Sequence, residues 1–140
     1  MVPPAGVLAT LVHVDRAQGR LVRLADPGRG LSPWQVRKVA DYIEAHLDQR
    51  IQVEDLTALA RLSARYFAAA FKRSFGLPPH AYLIRRRVEK AQALMLTTDM
   101  PLSEVSLACG LSDQPHLTRL FSRIVGDTPA QWRRQRRLAA

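Results

Sequence analysis

Residues 71–82, FKRSFGLPPHAY, recur fifty positions later as residues 121–132, FSRIVGDTPAQW. The matching positions are Phe71 and Phe121, Phe75 and Val125, Gly76 and Gly126, Pro79 and Pro129, and Tyr82 and Trp132. An internal repeat of this length is typical of a duplicated supersecondary unit. Because two copies are too few for a solenoid, the repeat predicts one helical unit that is used twice in a compact domain.

A Leu-Ser pair precedes each copy, at Leu62-Ser63 and at Leu111-Ser112. The second pair follows the first by 49 residues rather than fifty, which places one inserted residue in the turn that opens the second unit. Serine is a favoured N-cap residue, so Ser63 and Ser112 are expected to cap the helices that follow them.

The first unit has the pattern of a helix-turn-helix at about residues 54–76. One helix is expected over residues 54–60, and a second runs from its cap to Gly76, with apolar residues spaced for one helical side. Those residues are Phe67, Ala70, Phe71 and Phe75. An earlier helix is expected to begin at Ser32, with Gln35 completing a capping box. In a helix-turn-helix, the second helix lies in the major groove of DNA.

A long spacer helix is expected at residues 79–97, and a second helix-turn-helix at about residues 103–126. Val105, Leu107 and Ala108 are expected to form the buried side of its first helix. A last helix that carries Trp132 follows. The predicted fold is therefore all-α, with about seven helices in two helix-turn-helix subdomains that the spacer helix joins.

The N-terminal residues 1–31 differ from the rest. Two β-leaning runs, residues 7–14 and 20–24, are compatible with a hairpin, and residues 26–30 are expected to be a linker. The helical domain is assigned to residues 32–137, and the last three residues, 138–140, to a tail.

Positive charge is concentrated in the repeated half of the chain. Residues 1–55 carry seven basic and seven acidic side chains, whereas residues 56–140 carry fourteen basic and five acidic ones. This distribution favours a polyanionic partner, although the abundance of arginine could equally reflect genome composition.

Several classes of function find no support in the sequence. The single cysteine, Cys109, cannot form an intramolecular disulfide, and the four histidines lie more than thirty residues apart with no metal-ligand spacing. No catalytic triad or glycine-rich phosphate loop is present, so we expect no enzyme activity, metal or cofactor. Without a signal peptide or membrane span, the protein is expected to be cytoplasmic, associated with the nucleoid rather than with membranes.

If the apolar sides of the two second helices face inward, a polar side of each faces out. The outward residues are Arg65, Ala68, Ala69 and Lys72 in the first unit, and Gln114, Thr118, Arg119 and Ser122 in the second. Arginine pairs with guanine, glutamine with adenine, and methyl groups with thymine, so these faces are suited to contact bases. The alternative is a solvated helix face, which explains any single residue but explains less well why acids are absent while Arg and Lys occur in both copies.

Other polar residues are weaker candidates for contacts to phosphates. They are Ser63, Lys72, Arg73, Ser112, Arg123, Arg133 and Arg134. The terminal arginines could equally be a solvated tail, and Arg87 is expected to pack against the edge of the core.

The spacing of these residues resembles the AraC/XylS family DNA-binding domain over about residues 34–137. The shared pattern is Leu56-x3-Ala60-x-Leu62-Ser63-x3-Phe67-x3-Phe71, Gly76-Leu77-x-Pro79-x2-Tyr82-Leu83, Ala108-Cys109-Gly110-Leu111-Ser112-Asp113-Gln114, and Gly126-x-Thr128-Pro129-x2-Trp132-Arg133. The resemblance implies a bacterial transcription regulator that binds double-stranded DNA at specific sequences, with its two units in successive major-groove segments. It implies base contacts by Arg65, Ala68 and Ala69 in the first unit and by Gln114, Pro115, Thr118 and Arg119 in the second.

The chain departs from the family in three respects. Alanines occupy positions 68 and 69, where longer polar residues are usual, and Leu111 replaces the commoner phenylalanine. Many members also carry a sensor or dimerisation domain, which thirty N-terminal residues cannot form, so the chain is expected to be a stand-alone member or a fragment of a longer regulator. No small-molecule effector can then be inferred, and RNA polymerase is a candidate second partner. The alternative function is a nonspecific nucleoid-type or RNA-binding basic protein.

Overall fold

A computed structural model describes residues 29–139 and the backbone of two short strands. The strands, β1 (Val12–Asp15) and β2 (Arg20–Arg23), pair antiparallel, with Val12 opposite Arg23 and Asp15 opposite Arg20. The other residues of the predicted N-terminal segment, including 7–11 and 24–28, and residue 140 lie outside the described residues.

Residues 29–139 form seven helices and no strand, which confirms the predicted all-α fold. The helices are α1 (Pro33–Ala45), α2 (Val53–Ala60), α3 (Ala64–Phe75), α4 (Pro79–Thr97), α5 (Leu102–Ala108), α6 (Gln114–Val125) and α7 (Pro129–Ala139). They belong to two compact units. The first comprises Met1–Asp41 and Gln52–Pro79, and the second comprises Tyr42–Ile51 and His80–Ala140.

The first unit packs α2 and α3 around Leu56, Ala60, Phe67 and Phe71, which are all fully buried. The turn between the two helices depends on Arg61, which adopts a left-handed conformation (φ 57°) and ends α2. Since only glycine enters this region without cost, this residue holds a strained turn.

The start of α1 is fixed by hydrogen bonds between Ser32 and Gln35, in which the Gln35 side chain makes its half of the predicted capping box. The backbone N–H and the hydroxyl of Ser32 both donate to Oε1 of Gln35, at 2.8 and 3.0 Å. The side-chain amide of Gln35 in turn donates to the carbonyl oxygen of Ala60, at 2.8 Å. Gln35 is only 2% exposed, so a buried polar side chain satisfies its bonds by joining α1 to the end of α2.

The second unit has its own core, built from α4, α5, α6 and α7. Its buried residues include Val88, Ala91, Met95, Val105, Cys109, Leu117, Phe121 and Trp132. The rings of Phe121 and Trp132 meet edge to face, with their centroids 5.6 Å apart. Aromatic pairs favour this arrangement, so α7 is held against the inner side of α6.

Residues 42–51, which belong to the second unit, are held against α4 by two adjacent arginines of that helix. Arg86 donates two hydrogen bonds to the carboxylate of Glu44, at 2.6 and 3.0 Å. Arg87 donates to the carbonyl oxygen of Gln49 at 2.8 Å, and burial lowers its pKa. The expectation that Arg87 packs structurally is therefore confirmed.

The predicted buried side of α5 is wrong at Leu107, which is 62% exposed. Successive residues of a helix lie about 100° apart, so Val105 and Cys109 share the inner face and Leu107 lies almost opposite Val105. Ser106 is buried instead, and its hydroxyl is satisfied by donating to the carbonyl oxygen of Ser103 at 2.7 Å.

The predicted cap of α6 is also wrong by one residue. Asp113, not Ser112, is the N-cap, and its carboxylate accepts the backbone N–H of His116 at 2.8 Å. Asp113 follows Ser63, the N-cap of α3, by fifty residues. The inserted residue therefore lies before the cap, and the two helices begin at equivalent positions of the repeat.

Candidate nucleic-acid interface

The outer face of α3 consists of small and cationic side chains. Arg65, Ala68, Lys72 and Arg73 are exposed, and Ala69 is half-buried. Ser63 begins the helix, with its hydroxyl oxygen accepting the backbone N–H of Tyr66 at 3.4 Å. The structure thus places every predicted contact residue of the first unit on or beside one accessible helix face.

The outer face of α6 carries longer and more varied polar groups. Gln114, Pro115, Arg119 and Arg123 are exposed, and Thr118 is half-buried. Fully buried Leu117 and Phe121 lie between these positions and point into the core. Burial of one side therefore fixes which residues the other side presents.

The cations on these faces are available for an external ligand. Within residues 29–139, no side-chain hydrogen bond or ion pair holds Arg65, Lys72, Arg119 or Arg123. Neither α3 nor α6 contains an acidic residue, the nearest being the cap Asp113. An anion near either face would therefore meet uncompensated positive charge.

The first turn of α6 also contains His116, which the sequence pattern does not assign to the interface. Nδ1 of His116 lies 3.2 Å from the hydroxyl of Ser112 and 3.4 Å from its backbone N–H. Ser112, a predicted phosphate contact, is thus already paired with this histidine.

Arg133 has an internal role that its sequence position does not indicate. Its Nε, Nη1 and Nη2 atoms donate to the carbonyl oxygens of Met95, Met100 and Thr98, at 3.0, 2.8 and 2.7 Å. Arg137 adds bonds to the carbonyl oxygen of Met95 and to the carboxylate of Asp99, each at 3.1 Å. The last carbonyls of a helix lack intrahelical partners, so these two arginines cap α4.

The other two arginines of α7 differ from this pair. Arg134 is exposed and makes no hydrogen bond or ion pair within the described part of the chain. The guanidinium of Arg136 lies 5.4 Å from the ring centroid of Trp132, at a distance typical of a cation–π contact. Of the terminal arginines, Arg134 is therefore the one best placed for an external phosphate.

The single cysteine, Cys109, is buried. Burial raises the pKa of the Cys109 thiol to about 11, so the thiol stays protonated at neutral pH. Among residues 29–139, no group of His, Cys, Asp or Glu side chains could hold a metal ion. None of the helices in that range has the length and apolar character that a membrane span requires.

Comparison with known proteins identifies the class. A helix-turn-helix domain model matches residues 56–135, so this is a helix-turn-helix protein. A probable transcriptional regulator, LumQ of Photobacterium leiognathi, is 36% identical over 94 residues, which make up 67% of this chain and 38% of that protein. The chain spans less than half the length of the curated relatives it matches.

Two solved structures define the family more closely. The DNA-binding domain of the global transcriptional factor AdpA, crystallised with a target DNA, has a TM-score of 0.71 and 34% identity, covering 77% of this chain and 96% of that one. A probable AraC family transcriptional regulator from Rhodopseudomonas palustris has a TM-score of 0.62 and 34% identity, covering 72% and 95%. The chain belongs to the AraC family, as its sequence pattern predicted. This is a family of DNA-binding transcriptional regulators, not of enzymes.

Proposed function

We propose that the protein regulates transcription by binding a specific double-stranded DNA site, with α3 and α6 each entering a major groove. The observation that carries this proposal is the pair of acid-free outer faces, on which exposed arginines have no internal partner. A helix-turn-helix presents its second helix to the groove, and both faces belong to that helix. The crystallised complex of the AdpA domain with DNA supports duplex DNA as the ligand.

In this proposal the second unit makes the more selective base contacts. Arg119 and Gln114 are exposed and have the donor geometry that suits guanine and adenine, while the methyl group of Thr118 suits thymine. Pro115 offers only an apolar contact in the first turn.

The first unit contributes a shorter set of base contacts. Arg65 is its one long base-contacting side chain, and Ala68 and Ala69 present only methyl groups. Methyl groups contact thymine but form no hydrogen bonds, so the shape of the DNA contributes more to recognition here.

Phosphate contacts orient the helices without selecting a sequence. We assign them to Ser63, Lys72, Arg73, Arg123 and Arg134, and leave out the predicted contact Ser112, because its hydroxyl and its backbone N–H are paired with Nδ1 of His116. Arg133 is left out, because carbonyl oxygens occupy its three guanidinium nitrogens. A protein bound to specific DNA sites would be found with the nucleoid. Contact with RNA polymerase stays a prediction.

Selection from a randomised DNA library, followed by footprinting and stoichiometry, tests this function. We expect one chain to protect a single site with two half-sites about 34 Å apart, because two reading helices on one chain replace the halves of a dimer. Uniform affinity for all sequences, or for RNA, would instead establish the nonspecific alternative. A requirement for two chains per minimal site would contradict the monomeric arrangement.

A further inference from the structure

The chain that precedes α1 is packed against the last turn of α3. The backbone N–H of Leu31 donates to the hydroxyl of Ser74 at 2.7 Å, although the two residues are 43 positions apart. Leu31 and its neighbour Gly30 are both buried. A residue that leads into one helix is thus fixed on the end of another.

Gly30 makes this approach possible in two ways. Its φ is +83°, and a Cβ atom at this position would lie 2.7 Å from Oγ of Ser74 and 3.2 Å from Cβ of Arg73. An added methyl group would therefore displace the side chain that binds Leu31. Arg73, a proposed phosphate contact, is the neighbour that would move with it.

The same segment also holds the other helix of the first unit. Ser32 and Gln35, two and five residues after Gly30, are hydrogen-bonded to each other, and Gln35 donates to the carbonyl oxygen of Ala60 at the end of α2. Residues 30–35, which we call the strap, therefore contact the C-terminal ends of both α2 and α3. Two attachment points on two helices restrain the angle between them.

The second unit lacks this contact at the equivalent position. Ser74 corresponds to Ile124 in the repeat, and isoleucine has no hydroxyl that could accept a backbone N–H. The hydrogen bond from Leu31 to the last turn is thus a feature of the first reading helix.

We propose that Ser74 and Gly30 are positioning residues for DNA recognition: by holding the strap on α3, they orient its outer face on the first half-site and leave the second half-site unaffected. This inference rests on the proposed function.

Three variants of the full chain test the proposal. Ser74→Ala removes the acceptor for Leu31 and keeps the helix. Gly30→Ala introduces both the backbone strain and the collision with Ser74. Gly76→Ala is the matched control, because Gly76 has the same φ of +83° and an added Cβ would meet no atom within 4 Å.

Binding is measured on three duplexes obtained by selection: the full site, a site with the first half-site scrambled and a site with the second scrambled. Loss of one hydrogen bond predicts that Ser74→Ala weakens binding about three- to tenfold on the full site and on the site that keeps the first half, but not on the site that keeps only the second. Gly30→Ala should weaken binding to the same two duplexes. Gly76→Ala should leave the ratios of the affinities for the three duplexes as they are in the wild-type protein. Equal losses on all three duplexes would overturn the proposal.

Urea unfolding of the single and double variants gives a readout that does not depend on DNA. The collision of Gly30→Ala is with the hydroxyl of Ser74, so its effect should shrink in the Ser74→Ala background and the two changes should be non-additive. Coupling in unfolding without any difference between half-sites would show that the strap is structural only, which overturns the inference but not the proposed function. If the wild-type protein bound scrambled and selected DNA equally, both this inference and the proposed function would be wrong.

Discussion

Two neighbouring arginines of α7 should respond to substitution in opposite ways. Arg133 donates three hydrogen bonds to the carbonyl oxygens of Met95, Thr98 and Met100, whereas Arg134 is exposed and makes no such bond within the described part of the chain. Arg133→Ala should therefore destabilise the fold. Arg134→Ala should change only binding to DNA.

The magnitudes follow from these contacts. A hydrogen bond to a charged group contributes about 1.5–3 kcal/mol, and three bonds from one guanidinium are not additive, so the loss on Arg133→Ala is expected to be about 2–4 kcal/mol. This is a large part of the roughly 5–15 kcal/mol by which a domain is stable. Arg134→Ala should stay within about 0.5 kcal/mol of wild type. If Arg134 contacts one phosphate, Arg134→Ala should make the slope of log K against log salt concentration less steep by about 0.9.

The assay combines urea unfolding with DNA binding across a salt series, under conditions in which each variant is folded. Arg133→Lys is a useful third variant, because an ammonium group keeps the charge but does not reproduce the planar fork that reaches three carbonyls. It should lose most of the stability that Arg133→Ala loses. The assignment is refuted if Arg134→Ala is as unstable as Arg133→Ala, or if Arg133→Ala lowers the salt slope while stability is unchanged.

Three further outcomes are expected. Arg119→Ala should weaken binding to the selected site by about 1–3 kcal/mol and relax the preference at one base pair, while affinity for random DNA, measured in parallel, stays nearly constant. Library selection should define the first half-site less sharply than the second, because Ala68 and Ala69 offer only methyl groups; equal information content would show that these methyl groups select thymines instead. Gly110→Ala should be far more destabilising in thermal unfolding than Gly126→Ala, since both have positive φ but only the Cβ at Gly110 would collide with a backbone carbonyl; similar melting temperatures would contradict this.

Local patterns predicted the helices of residues 29–139 because those patterns act over a few residues. The apolar spacing in α3 and α6 fixes the inner faces, and glycines end both helices at Gly76 and Gly126, where φ is 83° and 90°. The outer faces follow from the inner ones. Every predicted base-contacting residue is consequently exposed or half-buried.

The predictions failed where several local choices were equally good. Ser112 and Asp113 are both favoured N-cap residues, and only the geometry of the turn selects the aspartate. Leu107 is an apolar residue on a seven-residue helix, which is too short for its periodicity to show that Leu107 faces outward.

The roles of Arg133 and Ser74 depend on contacts with residues about 40 positions away. No pattern near either residue indicates those partners. Arg133 of α7 reaches the end of α4, and Ser74 at the end of α3 binds a residue that precedes α1.

The shifted cap has a consequence for how the duplicated unit can recognise DNA. Because α3 and α6 begin fifty residues apart, positions 65, 68 and 69 of the first helix correspond to positions 115, 118 and 119 of the second. The pairs are Arg65 and Pro115, Ala68 and Thr118, and Ala69 and Arg119, so all three base-contacting positions differ between the two units, while the equivalent pair Arg73 and Arg123 is the same. A symmetric dimer places identical side chains on both half-sites and therefore requires a palindrome. One chain with two different faces requires no palindrome, so the DNA site of this protein is expected to be asymmetric. An asymmetric site also fixes the direction in which the protein lies on the DNA.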